Sequence, residues 1–529
     1  MTRRASLTHQ TIAGLLWTLF GKGAYGILQL IVLAILARLV SPAAFGVVSA
    51  ALIVISLSAI VSQLGMGTAL VQRPALEPRH IDTAFVASVL FDSALGAVVW
   101  LGAPLAAAFF GSPAVAPVLR ALAWVFPLHG LATVAQSLMK RELRFRELAN
   151  LDVVSYGIGY GVVGVPLALM EKGVWALVAA QIVHDALKTG ILLWWRRPRI
   201  RMPDRRAFDE LMYFGAGFTV AKIANQIAAQ GDYLVVGRFL GPQALGFYGR
   251  AYHLMSAPAN GFATVLDAVL FPVMAKVQTE SIRLASAFRR AIALLTLVFL
   301  PTSVAFVLLA PEVVHLLLGP AWTPVVAPFQ VLAAGQMFRS NSKIADALAR
   351  ATGAVYRRAW RQILYAVLVV GGAWIGQRWG ITAVAWAVLF AILVNWVTMT
   401  HLSLTDARMR WVEVFAAQLP AVMVTALASV PGWLAISLLR HWEAPALLVL
   451  IGGGGVMAGT VAIAILSAPT RFLGPDGQWM SDTMRAFVAK LRPSSTRPAS
   501  HAANERPNTT GGSAPATGGT NPRSPIPSP

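Results

Sequence analysis

Apolar runs separated by short polar connections recur along almost the whole chain. A helix that crosses the hydrocarbon core of a bilayer needs about 20 mostly apolar residues. By that measure about fourteen spans are predicted, the first six at 12–37, 43–66, 83–109, 115–139, 149–170 and 173–195. After the basic connection RRPRIRMPDRRAFDE come 211–236, 244–274, 287–310, 322–341, 359–377 and 380–403, then 413–438 and 445–468. Beyond them, Trp479 to Arg492 places Met480, Met484, Phe487, Val488 and Leu491 on one stripe, the pattern of an interfacial amphipathic helix. Residues 493–529 are Pro, Ser, Thr, Gly and Asn with little apolar content and read as a disordered cytoplasmic tail. The expected fold class is an all-α polytopic membrane protein.

The pattern repeats at a larger scale. KGAYGILQLIVLAILARLVSPAAFG, beginning at Lys22, is echoed by KIANQIAAQGDYLVVGRFLGPQALG, beginning at Lys222. Lys22, Arg38, Pro42 and Gly46 recur as Lys222, Arg238, Pro242 and Gly246, all at one shift of 200. Weaker echoes pair GAPLAAAFFG at 102–111 with LAPEVVHLLLG at 309–319, and KGVWALV at 172–178 with WGITAVA at 379–385. Six predicted helices separate the copies, an even number, so the two halves enter the membrane in the same direction, as parallel repeats do. The expected organisation is a six-helix lobe at 1–200, a second at 201–405, a helix pair at 406–470, the interfacial helix at 471–492 and the tail at 493–529.

Composition fits this pattern. Hydrophobic residues make up 57% of the 529 positions and charged residues 12%, with a mean hydropathy of +0.65, outside the range of a soluble domain with a charged surface. The net charge of +21 would suggest nucleic acid if it lay on one exposed face, but the arginines sit between apolar segments. Read alternately, one set of connections carries groups such as Lys140, Arg141, Arg144 and Arg146, whereas the other has scarcely one basic residue each: Arg38, Arg120, Lys172, Arg238, Arg378, Arg440. The positive-inside rule then places both termini in the cytoplasm. The N-terminal segment has no small-residue cleavage site and reads as a first spanning helix. There is no Cys, and the nine His show no ligand spacing, so neither a thiolate metal site nor a paired-His site is expected, and no cofactor. The outer connections are too short to house an enzyme's catalytic domain, so no enzymatic activity is expected.

Several stretches carry a resemblance: ARLVSPAAFG, KRELRFRELA at 140–149, GVWALVAAQ, GDYLVVGRFLGPQALGFYGRAY at 231–252, LFPVMAKVQTE at 270–280 and LLGPAWTPVVAPFQVLA at 317–333. In their order and spacing the chain resembles the Wzx-type polysaccharide flippases of the multidrug/oligosaccharidyl-lipid/polysaccharide exporter superfamily. The resemblance implies translocation of an undecaprenyl-pyrophosphate-linked oligosaccharide by alternating access of two lobes, in lipopolysaccharide, capsule or exopolysaccharide biosynthesis, with polymerase or assembly proteins as partners. A lipid II flippase and a drug/cation antiporter of the same superfamily are the alternatives, and a membrane polymerase or ligase a more distant one.

Such a substrate brings a pyrophosphate into the membrane, and a charge there is costly unless it meets water or a partner. Lys22 and Lys222 lie some ten residues into their helices, roughly 15 to 17 Å deep, and are candidates for the pyrophosphate or glycan site. Arg250 with His253, beside Asp232, has only Ala50, Ile53 and Val32 at the corresponding first-copy positions; this asymmetric group suits substrate binding, ion coupling or a structural pair. Two readings fit Arg38 and Arg238: a guanidinium ring around an outer vestibule, or arginines that bind helix-end carbonyls. The pattern R-x-x-x-P-x-x-x-G contains the turn residues themselves and favours the second. For proton or sodium coupling the candidates are Asp92, Asp232, Asp185 and His184; Asp185 and Lys188, three apart on one helix, are also placed to neutralise each other, and His129 reads as a packed residue beside Pro127.

Overall fold

A computed structural model describes residues 7–62, 66–73, 75–196, 203–216, 219–472 and 474; within these, the side chains of 7–22, 60–65, 211–225, 258–273 and a few single positions lie outside the description. The interfacial helix and tail expected beyond Trp479 therefore fall outside the described residues. Every regular element among the described residues is helical.

The first half comprises α1 (Leu7–Leu39), α2 (Pro42–Ser62), α3 (Met66–Gln72), α4 (Pro78–Phe109), α5 (Val115–Leu122), α6 (Val125–Arg141), α7 (Phe145–Tyr156), a π-helical segment Gly157–Gly164, α8 (Val165–Leu169) and α9 (Val174–Trp195). The second half comprises α10 (Arg205–Ala216), α11 (Thr219–Phe239), α12 (Gly241–Lys276), α13 (Ser281–Leu308), α14 (Ala310–Leu317), a 3-10 turn Pro320–Val325, α15 (Val326–Ala334), α16 (Gln336–Ala351), α17 (Val355–Gly376) and α18 (Ile381–Ala407). After these come α19 (Trp411–His441), α20 (Ala446–Ser467) and the short α21 (Pro469–Phe472). Ten helices among the described residues are long and apolar enough to cross a membrane, and the chain is a multi-pass membrane protein.

Several predicted spans are subdivided. The span predicted at 322–341 is the 3-10 turn, α15 and α16; α16 carries the buried polar residues Gln336, Ser340, Asn341 and Ser342, which remove it from the apolar class. The span predicted at 115–139 is α5 and α6 in succession, and that at 149–170 contains the π segment. At 211–236, the start belongs to a separate helix, α10, with α11 beginning at Thr219.

The core is shared between the halves. One buried cluster draws Val32, Leu36, Phe45 and Ala51 from α1 and α2 together with Val236, Tyr248, Leu254 and Phe329 from the second half. Helices α2 and α12 pack along each other, and α19 lies against α13. Arg440, on α19, donates from Nε and Nη2 to the two carboxylate oxygens of the buried Glu312 on α14 at 2.7 and 2.8 Å, and from Nη2 to the Leu308 carbonyl at 2.8 Å. This two-pronged pairing, with the fork geometry of guanidinium and carboxylate, fastens the appended pair to the second half.

Helix α10, which carries the chain between halves, docks on α3 and α4. The Glu77 N–H donates to His80 Nδ1 at 3.2 Å, so the ring proton sits on Nε2 and points at the Glu210 carboxylate 3.2 Å away. Arg73 also hydrogen-bonds Glu210, and the Asp204 N–H donates to Thr83 Oγ1 at 2.9 Å. The hydrogen bonds from His80 and then Arg73 hold the Glu210 carboxyl below its usual range. A depressed carboxylate stabilises the docked state above the unfolded value, about pH 4.3, and loses that contribution as pH falls through the lowered folded value. Glu210→Gln is accordingly expected to speed trypsin cleavage at the exposed Arg205 and Arg206 several-fold at pH 7.5, and acidification below pH 4 is expected to speed amide hydrogen exchange in α10 of the unmodified protein but not of the variant. Equal cleavage rates for both proteins at pH 7.5 would refute the clamp.

Candidate functional site

The repeated motifs meet each other. At the end of the bundle expected to face outward, Gly46 of α2 lies against Pro242 of α12, and Gly246 of α12 lies against Pro42 of α2. A Cβ built on Gly46 would fall 1.6 Å from the Pro242 carbonyl oxygen, and one on Gly246 2.1 Å from the Pro42 carbonyl oxygen. The contact is backbone against backbone, crossed, and pseudo-two-fold. Arg38 at the end of α1 donates to the Leu316 carbonyl of α14 at 2.7 Å, and Arg238 at the end of α11 donates to the Ala108 and Phe109 carbonyls of α4 at 3.1 and 2.6 Å. Each arginine thus binds the last carbonyls of a helix in the opposite half, groups that no intrahelical donor reaches.

Gly319, at φ 96°, turns the chain over the Arg38 stem, where a Cβ built on it would lie 3.6 Å from Arg38 Cγ, and delivers Trp322 into the seam. Trp322 is fully buried, donates from Nε1 to the Ala37 carbonyl at 2.8 Å and meets Phe45 and Phe247 edge-on at 5.4 and 5.9 Å.

One helical turn inside Gly246 lies Arg250. Its guanidinium sits 4.8 Å from the centre of the Phe45 ring, across the seam, and interacts electrostatically with Tyr233 of the second half and Tyr156 and Tyr160 of the first. Its Nε is buried and has no hydrogen-bond partner among the described residues. The structural pair with Asp232 does not form: Asp232, 2% exposed, instead accepts from the Tyr248 hydroxyl at 2.7 Å and the Tyr233 N–H at 3.0 Å. His253 is half-buried on the same helix, within electrostatic reach of Arg250. Arg339 of α16, a residue that sequence reasoning did not single out, hydrogen-bonds the Tyr252 hydroxyl and stacks on that ring at 4.7 Å.

The first half supplies an aromatic shelf. Tyr156 and Tyr160 stack at 4.5 Å with their planes 19° apart, and Tyr25 meets Tyr156 edge-on at 5.2 Å. Tyr160 donates to Gln181 Oε1 at 2.5 Å, and Gln181 Nε2 donates to Asp185 Oδ2 at 2.7 Å. Lys188 is 2.8 Å from Asp152, so the neutralising pair within α9 is replaced by a bridge to α7. His184 lies with Nε2 4.0 Å from Asp185, its Nδ1 buried without a partner among the described residues. Deeper in this half, Asp92 is 3.5 Å from His129 Nδ1. Gly130 permits that approach, since a Cβ there would meet the Ser88 carbonyl and Asp92 Cβ at 2.8 and 3.0 Å. Lys22 and Lys222 belong to α1 and α11, but their side chains lie outside the described residues. No cluster of three or more His, Asp or Glu residues suited to a metal ion occurs among the described residues.

The comparisons agree on a class. The chain is 24% identical over 398 residues to the teichuronic acid biosynthesis protein TuaB of Bacillus subtilis, covering 74% of this chain and 81% of that protein. It is 28% identical over 393 residues to the succinoglycan biosynthesis transport protein ExoT of Rhizobium meliloti, covering 73% and 78%, and 23% identical over 338 residues to the lipopolysaccharide biosynthesis protein WzxC of Escherichia coli, covering 63% and 68%. The fold is that of the lipid II flippase MurJ in an inward closed conformation, with a TM-score of 0.68 at 13% identity over 86% of this chain and 99% of that one. An inward-facing multidrug resistance MATE family transporter superposes with a TM-score of 0.58 at 17% identity, over 76% and 95%. The polysaccharide biosynthesis protein family model matches residues 35–327, more than half of the chain, and to that family the chain belongs.

Proposed function

We infer that this chain is a flippase that carries an undecaprenyl-pyrophosphate-linked oligosaccharide across the bacterial inner membrane by alternating access of its two halves, with both termini cytoplasmic. The observation that carries the reading is Arg250: a guanidinium in the seam between the halves, one turn inside the crossed glycine contact, with an unused buried N–H. An anionic group arriving between the halves completes that arginine, and the fork of donors suits a pyrophosphate. Lys22 and Lys222 add cations from the helices that flank the seam. Arg38 and Arg238 each use one guanidinium nitrogen on helix-end carbonyls and serve the outer seal. The names of TuaB, ExoT and WzxC support a product in surface polysaccharide assembly. Asp92 beside His129, and Asp185 with His184 in the Gln181 network, are the coupling groups, with a proton as the ion that a His–carboxylate pair handles most directly.

The test is transport of an undecaprenyl-pyrophosphate-linked oligosaccharide in proteoliposomes. Arg250→Ala is expected to lower the initial rate about tenfold to a hundredfold, the range for a lost hydrogen bond to a charged group, with Arg250→Lys in between. Asp92→Asn is expected to leave a slow rate that no longer responds to a pH gradient. Full transport by Arg250→Ala at equal protein would remove the anion site. Export of hydrophobic cations without any lipid-linked glycan would favour the antiporter instead.

A further inference from the structure

Of the eight tyrosines whose side chains are described, seven gather around the seam, three from the first half and four from the second, in a chain that has 24 phenylalanines to fill apolar space. A layer needed only for packing favours phenylalanine, because each hydroxyl in a membrane interior requires a partner. The shelf is also built on an irregular backbone. The sequence YGIGYG, Tyr156 to Gly161, enters a π-helical segment of eight residues, a form that is rare and concentrates at functional sites. Gly159 allows it to press against α9: a Cβ there would lie 2.7 Å from the Ala180 carbonyl and 2.8 Å from the His184 nitrogen. That approach sets the stacked Tyr156 and Tyr160 beside Gln181 and His184, with the Arg250 guanidinium of the other half, over the Phe45 ring, within their electrostatic reach. Two buried polar atoms at this place, Arg250 Nε and His184 Nδ1, have no partner among the described residues.

Resting on the flippase reading, we propose that Tyr156, backed by the stacked Tyr160, forms a carbohydrate platform that stacks on the hexopyranose joined to the pyrophosphate, while Arg250 holds the pyrophosphate itself. A pyranose has one face of C–H groups, which suits an aromatic ring, and a rim of hydroxyls, which suits Gln181 and His184. The platform therefore reads the ring closest to the lipid, whatever the remainder of the glycan, and favours it over a prenyl pyrophosphate that carries none.

The experiment uses the full-length protein in lipid nanodiscs and two classes of short-chain probe: citronellyl pyrophosphate, and the same lipid carrying a single glucose or galactose. The hexose is expected to tighten binding by about tenfold, in line with an aromatic stacking contribution. Tyr156→Leu, which keeps apolar bulk and removes the ring, is expected to lose that increment yet bind citronellyl pyrophosphate as the unmodified protein does, and Tyr156→Phe is expected to keep it. If neither hexose adds affinity in the unmodified protein, or if Tyr156→Leu retains the full increment, the platform is refuted while the anion site stands. If citronellyl pyrophosphate itself does not bind, the anion site falls and the platform with it. Unchanged affinity for the sugar-free lipid in Tyr156→Leu shows that the variant is folded.

Discussion

Replacing Gly46 with leucine is expected to hold the outer end of the protein open and to stop transport. The site tolerates no side chain: even one methyl group would sit 1.6 Å from the Pro242 carbonyl oxygen, and backbone cannot rotate away as a side-chain tip can. The halves must part, and the same displacement unseats the crossed contact of Gly246 with Pro42. Overpacking of this kind costs roughly 1–3 kcal/mol, equivalent to a shift of about tenfold to a hundredfold between outer-closed and outer-open states. Gly46→Ala is expected to show the smaller shift, and Gly246→Leu to match Gly46→Leu, since the two contacts are related by the pseudo-two-fold. The absence of native cysteine makes the measurement clean. Ser49, half-buried one turn inside Gly46, substituted as S49C, should resist a membrane-impermeant thiol reagent added from outside in an otherwise unmodified protein. It should react in the Gly46→Leu background, and transport should fall in parallel. Full transport with an unreactive S49C in that background would show that this contact is not the outer seal.

What the linear sequence disclosed and what it withheld divide along the range of the interactions. The repeated motif was legible because Lys22, Arg38, Pro42 and Gly46 recur at one shift, and membrane spans were legible because apolar length is a local property. Within R-x-x-x-P-x-x-x-G, the chemistry of the arginine was foreseeable, but not its address: Arg38 binds a carbonyl 278 positions away and Arg238 one 130 positions away. No local pattern distinguishes a turn within one half from a clasp between two. The same limit applies to the charges. Asp185 and Lys188 share a helix and invite pairing, yet the approach of α7 gives Lys188 to Asp152, and Asp92, partnerless by sequence proximity, meets His129 because Gly130 brings α4 and α6 together. The tyrosines spread from 25 to 365 and form no motif. One trace was available, since YGIGYG alternates glycine with Tyr156, Ile158 and Tyr160 inside an otherwise bulky apolar run, and glycines set between large side chains mark a close backbone approach.

Trp322→Ala is expected to be the most destabilising single truncation in the outer seam. The indole is fully buried and touches both halves: its N–H satisfies the Ala37 carbonyl at the end of α1, and its edges engage Phe45 from one half and Phe247 from the other. Removing a large buried aromatic costs ~3–5 kcal/mol, and the Ala37 carbonyl loses its donor as well. Trp322→Phe keeps most of the aromatic contact and deletes the N–H, for about 1 kcal/mol. Thermal unfolding of the detergent-solubilised protein should therefore rank unmodified above Trp322→Phe, and that above Trp322→Ala by a wider margin. The rank alone would suit any core residue. What is particular to Trp322 is that its hydrogen bond and one of its ring contacts lie in the opposite half, so the energy it contributes belongs to the closed outer seam as well as to the fold. Trp322→Ala should accordingly expose S49C to the external thiol reagent, as Gly46→Leu does, whereas truncation of an equally buried residue within one half, such as Phe288 of α13, should lower the unfolding temperature and leave S49C protected. Protection of S49C in both variants would assign Trp322 to packing of the second half alone.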